Sequence, residues 1–407
     1  MTTAAAHTDE RHPFITQDGI ECDVIHVKGP QAPTKGPVLL VHGVGTVIST
    51  SSSVSTPTAT GIRSSSASWP GRRTEGMKHG DTISDPAALG GEARAERLMG
   101  LMEENLGFAP GFRRAHGRGI GLRGRFTALP AAAQLTSAEH MQGDEIAVVA
   151  RLSNGAGSPY AVDRTSEKKG GVLGMGVRFE LPSGGHAAWA ALNIESFPAR
   201  KPDHFIGLTA ARAKGLPFGL PNPIRFVSFL LTHPPVLGGV KEILSARTAV
   251  SFATAPFFGL HAYFAADAEG RRQAFRYRWV PVAGEASMSA ADNRLLPPQY
   301  LMSEIRQRVA RGPVAWDLVF QLAEPGDRTD DLTKRWPKER RLVTVGRLEL
   351  DRVHEDPVAL DGLVFDPTVV PPGIELSNDP VLRFRSEAYT ASHQRRSGET
   401  KPAITPE

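Results

Sequence analysis

From residue 120 onward the chain alternates between apolar and polar positions in short runs. Four runs come close together, "GRFTAL", "EIAVVARL", "GMGVRFEL" and "HAAWAALN", and four more follow a gap, "FGLHAYFAA", "QAFRYRWVPV", "WDLVFQL" and "LVTVGRLEL". Alternation of period two over such lengths predicts half-buried strands. Eight strands without alternating crossover helices predict an antiparallel barrel, because eight close a sheet around an interior that side chains can fill. The gap at 203–250 holds "HFIGLTAARAKG", "IRFVSFLL" and "VKEILSA", which predict helices inserted between the halves. An upstream helix is predicted where Leu98, Leu101 and Met102 recur at helical spacing. The expected class is therefore α+β, an eight-stranded antiparallel β-barrel with inserted and flanking helices.

A last helix is predicted from 380 to about 396. Ser377-Asn378-Asp379-Pro380 supplies an acidic cap and a proline at the first helical position, which together signal a helix start. At about 100° per residue, Arg385, Tyr389, His393 and Arg396 then fall within roughly 80° on one face. A solvated basic helix end accounts for that spacing as well as a site does.

The N-terminal part reads differently. Residues 15–45 predict two strands, "GIECDVIHV" and "PVLLVHGVG", and then the character changes: between Thr46 and Trp69, 14 of 24 residues are Ser or Thr and the only charge is Arg63. Such a tract buries too little apolar surface to order itself. Residues 46–75 are expected to be a disordered linker, 76–397 one domain and 398–407 a disordered tail.

The chain has 407 residues, 40% hydrophobic and 22% charged, which is a globular composition. Its net charge of +4 is scattered, and aromatics are not interleaved with the two dense basic patches, so nucleic acid is not an expected partner. Cys22 is the only cysteine, which excludes an internal disulfide and a thiolate metal cluster. The opening "MTTAAAHTDERHPF" lacks the apolar run of a secretory signal and "FVSFLL" is far short of a bilayer, so a cytoplasmic protein with no stable membrane anchor is expected.

Several segments carry candidate chemistry. "RRAHGRGIGLRGRF" sets His116 between Arg113 and Arg118, with glycines that let a backbone approach something closely. "ARLSNGAG" adds Arg151 and Ser153, and "AALNIESF" puts Asn193 at a strand end. Taken alone, each suits a basic loop, a turn or a cap equally well.

Their order along the chain resembles the haem-containing catalase family, particularly its short members, the catalase-related peroxidases. The similarity runs through "HGRGIGLRG", the Arg-x-Ser, the Asn, "DDLTKRWP", "FDPTVVPPGIELSNDP" and the late helix with Arg-x-x-x-Tyr, over about 90–397. The resemblance implies non-covalent haem b with Tyr389 as its axial ligand. A tyrosine serves there only as phenolate, which the guanidinium of Arg385 one helical turn away stabilises. It also implies that Arg113, Arg151 and Arg396 pair with the haem propionates and that His393 supports the haem from beneath. Phe205 and Phe365 would pack on the porphyrin, where a plain core role serves either equally. His116 would be the general base and then acid toward peroxide, with Asn193 holding the peroxide and Ser153 orienting the imidazole.

The implied activity is peroxidase reduction of hydrogen peroxide or organic hydroperoxides through a ferryl intermediate, at the expense of an organic electron donor. Weak catalase activity and a homo-oligomer stay open beside it, as do a lipid hydroperoxide isomerase or lyase and a non-catalytic haem-binding protein. Ala115 stands where large catalases usually carry valine, which implies a roomier pocket. "GPVLLVHGVG" resembles the third strand and oxyanion loop of α/β-hydrolases. With no Gly-x-Ser-x-Gly in the chain there is no triad to complete, so residues 1–45 are expected to be a hydrolase-like fragment and not a serine hydrolase.

Overall fold

The computed structural model describes residues 8–15, 21–28, 90–155, 158–163, 171–213 and 222–401. It divides into two units, 1–78 and 79–407. In the first, Thr8–Ile15 pairs antiparallel with Glu21–Lys28, Ile15 opposite Glu21. The second of these strands matches "GIECDVIHV"; the expected strand at 37–45 and the linker at 46–75 lie outside the described residues.

In the second unit all eight expected strands form: Gly119–Ala128, Glu145–Asn154, Leu173–Glu180, His186–Leu192, Phe257–Ala266, Arg272–Pro281, Val314–Leu322 and Leu342–Val353. Each pairs antiparallel with its neighbour in sequence, and the eighth returns to the first, with Leu348 opposite Phe126, closing the barrel. The weakest seam lies between the fourth and fifth strands, where the inserted helices leave and a single pair, Leu192 with Phe258, bridges the gap. A short ninth strand, Ile374–Leu376, pairs outside the fifth.

Strand alternation sorts the side chains. In the second strand Ile146, Val148, Ala150 and Leu152 join the main core, while Arg151 and Ser153 take the other face. In the third strand Leu173, Met175, Val177 and Phe179 join it, leaving Gly174 and Gly176 on that same other face. The interior is aromatic: Phe275 stacks on Phe320 with centroids 4.0 Å apart, and Phe126 meets Phe179 edge-on at 5.2 Å. Such rings contribute about 2–3 kcal/mol each on burial.

Outside the wall, the Gly91–Leu106 helix packs on the Pro202–Ala211 and Pro380–Ser397 helices. The last begins as the sequence predicts: the Asp379 carboxylate accepts from the amides of Val381 and Leu382 at 2.8 and 3.3 Å. The tail expectation is corrected for 398–401. The Glu399 carboxylate accepts from Arg114 at 3.0 Å and from the Gly111 amide at 2.8 Å, and Lys401 pairs with Asp361, so ion pairs hold these residues. No helix among the described residues is long and apolar enough to cross a membrane.

One buried titratable group has no part in the cavity described below. His140 is fully buried, 4.8 Å from Phe179 and 5.8 Å from Trp189 by ring centroid, and burial pushes its pKa down to about 4. Above pH 6.5 it is neutral both folded and unfolded. Between pH 6.5 and about 4 only the unfolded chain takes the proton, so stability falls as pH falls, by up to about 3 kcal/mol for this residue. His140→Phe is expected to flatten the pH dependence of the unfolding free energy in that window. Denaturant titrations at pH 7, 5.5 and 4.5 measure it, and an unchanged slope would refute the assignment.

Candidate active site

His116 has φ = 55°, the only positive φ among the described non-glycine residues. That left-handed backbone costs about 1–2 kcal/mol and persists only where its surroundings enforce it. Here Arg151 enforces it, donating to the His116 carbonyl at 2.8 Å and to that of Gly117 at 3.2 Å. The ring's Nδ1 lies 3.0 Å from Ser153 Oγ, which also reaches the Gly174 carbonyl at 3.4 Å. A serine hydroxyl donating to that carbonyl accepts from Nδ1–H, and the lone pair then falls on Nε2. Burial, with the Arg151 and Arg385 guanidiniums, pushes His116 down to about 4, so the ring is a neutral base at pH 7.

Gly174 makes room for this ring. A Cβ there would lie 2.7 Å from both Cε1 and Nδ1 of His116 and 3.0 Å from Ser153 Oγ. Gly174→Ala is therefore expected to displace the imidazole and lower peroxide turnover at least about tenfold with haem content unchanged. Steady-state rates alongside the absorption spectrum test this; full activity would show that the ring does not depend on that gap.

Across the cavity stands the last helix. Arg385 Nη1 donates to the Tyr389 hydroxyl oxygen at 3.1 Å. Burial acts to lower the Arg385 pKa, but attraction to Tyr389 and its neighbours outweighs it and the pKa is raised. Arg385, Ala388, Tyr389, Ser392 and Arg396 line the cavity. His393 does not join them: it sits at the margin of the helical face, and its Nδ1 faces Ser397 Oγ at 3.5 Å. The resemblance implies a supporting place for it beneath the haem, and here it stands beside the residues that line the cavity.

Sequence spacing missed His261 and the second role of Asp379. His261 lies on the fifth strand, buried, with Nδ1 2.7 Å from Asp379 Oδ2, so the helix cap also holds a cavity-lining histidine. Burial lowers the His261 pKa against the pull of Asp379. Nothing in "FGLHAYFAA" marks that histidine as more than a strand residue, and its partner is 118 residues away.

Arg113, Arg151 and Arg396 line the cavity as a cluster. Burial lowers all three, Arg396 to about 10, and each feels another's repulsion in the case of Arg151 and Arg396. Among the described residues the cluster has one nearby acid, Asp361, which accepts from Arg113 Nη1 at 2.9 Å, and the buried Arg151 Nε meets no hydrogen-bond partner among them. Three guanidiniums around one carboxylate fit a ligand bearing further carboxylates. The rest of the wall is largely apolar, with Phe205 and Phe365 on it; Phe205 also packs on Phe197 with centroids 5.0 Å apart. A flat apolar ligand with acidic side arms and a metal that takes a phenolate matches this donor set, and haem has that chemistry.

Asn193 is not on the wall. Its Oδ1 accepts from the Leu173 amide at 2.7 Å and its Nδ2 donates to the Gly171 carbonyl at 3.3 Å, so the side chain ties down the entry to the third strand. The peroxide-holding role is what the resemblance implies for this residue; in this structure its side chain serves the backbone. Asn193→Ala is expected to cost about 1–2 kcal/mol of stability and to change kcat/KM less than about threefold. A large kcat loss at unchanged Tm would restore the catalytic role.

The closed eight-stranded barrel, with its strained histidine and Arg-Tyr helix lining one cavity, is that of a catalase-type oxidoreductase, as its relatives show. The Catalase family model matches residues 110–405, and the chain belongs to that family, whose members bind haem. A catalase-related peroxidase of Mycolicibacterium paratuberculosis is 38% identical over 74% of this chain and 94% of its own length. One from Synechococcus elongatus is 31% identical over 74% of this chain and 88% of its own. Catalase A from Saccharomyces cerevisiae superposes with a TM-score of 0.63 at 20% identity, covering 71% of this chain and 62% of that one, and so shares the fold.

Proposed function

We propose that this chain is a haem b peroxidase that reduces hydrogen peroxide and organic hydroperoxides at the expense of an organic donor. The observation that carries this is the pairing of a neutral, clamped His116 on one wall with the Arg385–Tyr389 pair on the other. Haem, when bound, supplies the iron at which the peroxide O–O bond is cleaved. Tyr389 would hold that iron through its phenolate oxygen, with Arg385 stabilising the negative charge. Arg113, Arg151 and Arg396 would hold the propionates. His116 Nε2 would take a proton from one peroxide oxygen and return it to the other, the leaving one, while Ser153 keeps Nδ1 protonated. Ala115 lies on the cavity wall, and its small side chain would admit a peroxide larger than hydrogen peroxide.

That same roominess favours a second reading, a lipid hydroperoxide isomerase. The purified haem protein is given hydrogen peroxide or a fatty-acid hydroperoxide, each with and without a dye donor. Consumption that requires the dye supports the peroxidase. Donor-independent rearrangement of the fatty-acid hydroperoxide supports the isomerase, and oxygen release without donor supports a catalase. Inertness toward both peroxides leaves a haem carrier.

A further inference from the structure

Thirteen large apolar side chains are exposed among the described residues. Five of them, Ile224, Val227, Leu231, Leu237 and Leu244, fall on two consecutive helices, Pro223–Thr232 and Pro234–Ser245. The first helix, "PIRFVSFLLT", buries none of its residues. Ile224, Val227 and Leu231 are 80%, 50% and 74% exposed, and at helical spacing they form one stripe about 60° wide.

The helix is anchored on its opposite side. Asn222 caps it, accepting from the Ile224 and Arg225 amides, and Phe229 packs where Gly207 leaves room: a Cβ at Gly207 would lie 2.6 Å from the Phe229 ring. The stripe therefore faces solvent in a built position.

Charge identifies what covers it. No acidic residue occurs between Asp203 and Glu242, while Arg212, Lys214, Arg225 and Lys241 stand in that stretch. Its charge equals the whole chain's net +4, so the rest of the sequence balances to zero. A second copy would set Arg225 and Lys241 against their own kind beside an apolar contact. An anionic surface pairs with them, and two consecutive helices that expose apolar side chains together with Arg225 and Lys241 are the pattern of helices lying in a lipid interface. Lys241 shares a helical face with Leu237 and Leu244, where its stem extends the apolar surface and its ammonium reaches the headgroups.

We propose that this helical pair docks the protein on an anionic membrane surface. The docking is independent of the peroxide chemistry, but its position bears on it. Gly207, under Phe229, belongs to the Pro202–Ala211 helix, which also carries Phe205 of the cavity wall, so one helix would separate lipid from cavity.

Sedimentation of the full haem-loaded chain with vesicles of phosphatidylcholine, with and without phosphatidylglycerol, tests this. Binding is expected with phosphatidylglycerol, to weaken at least tenfold without it and to fall with added salt. Arg225→Ala should weaken it about fivefold. The double variant Ile224→Asp/Leu231→Asp should lose it while keeping its circular dichroism and haem spectrum. Equal binding to both vesicle types, or to neither, overturns the proposal, as does full binding by the double variant. Light scattering that shows an oligomer, split to monomers by Leu231→Asp with no vesicle binding, gives the face to a second copy and overturns it too. Should the double variant misfold, Arg225→Ala and the lipid dependence of the unaltered protein still decide.

Discussion

His116→Ala is expected to lower peroxide turnover by about 10²- to 10⁴-fold and to leave haem content unchanged, because a positioned base contributes that much to a proton transfer and would take no part in holding the haem. The loss appears in kcat/KM for both peroxide classes, since each needs the same proton moved between its oxygens. The pH profile follows from the burial that holds the imidazole at about 4. A base must be deprotonated to act, so activity is expected to stay level from pH 7 to about 5 and to fall as pH drops through 4. A histidine at its ordinary value would begin failing near 6.5. Stopped-flow rates across this range in a stability-matched buffer series distinguish the two, and a midpoint near 6.5 would show that the ring is solvated and that Arg151 does not act on it. Ser153→Ala releases Nδ1 and is expected to cost about ten- to a hundredfold, as an orienting partner does, with the profile shifted rather than abolished.

Tyr389→Phe is the second large expected effect. It removes the one oxygen that Arg385 Nη1 reaches on that wall and leaves a buried cluster of cations facing an apolar ring. Losing a group that supports a metal ligand costs about ten- to a hundredfold in affinity, and losing the ligand itself exceeds that. The variant is expected to retain less than about a hundredth of the wild-type affinity for haem, or to hold it with an altered spectrum, while the apo fold persists. Arg385→Leu keeps the phenol and removes the charge that stabilises its anion, so its haem is expected to be present but weakly held.

The barrel was legible because its evidence is local. Alternation in runs such as "EIAVVARL" reports which face each residue takes, and a meander needs only neighbours in sequence to pair. The start of the tyrosine helix was legible for the same reason, since Asp379 and Pro380 act on adjacent amides. The site was legible in outline only through the order of its motifs. His116 and Ser153 do meet, and Arg385 does reach Tyr389. Spacing is silent where the outcome depends on competition for a side chain: Asn193 here bonds the Gly171–Leu173 backbone, and His393 lies at about 80° from Arg385, beside the residues that line the cavity. Gly174 and His261 were invisible because their importance is a distance to a residue far along the chain. The left-handed backbone of His116 leaves no local trace either, as Arg151, 35 residues on, imposes it.

The proposed peroxide chemistry turns on the cavity between His116 and Tyr389 holding haem. The decisive measurement is the haem content and absorption spectrum of the full chain purified from cells supplied with a haem precursor, beside Tyr389→Phe prepared identically. About one haem per chain, with a high-spin ferric spectrum that the substitution removes or shifts, is the expected result. A protein that takes up no haem, or whose spectrum ignores Tyr389, would contradict it.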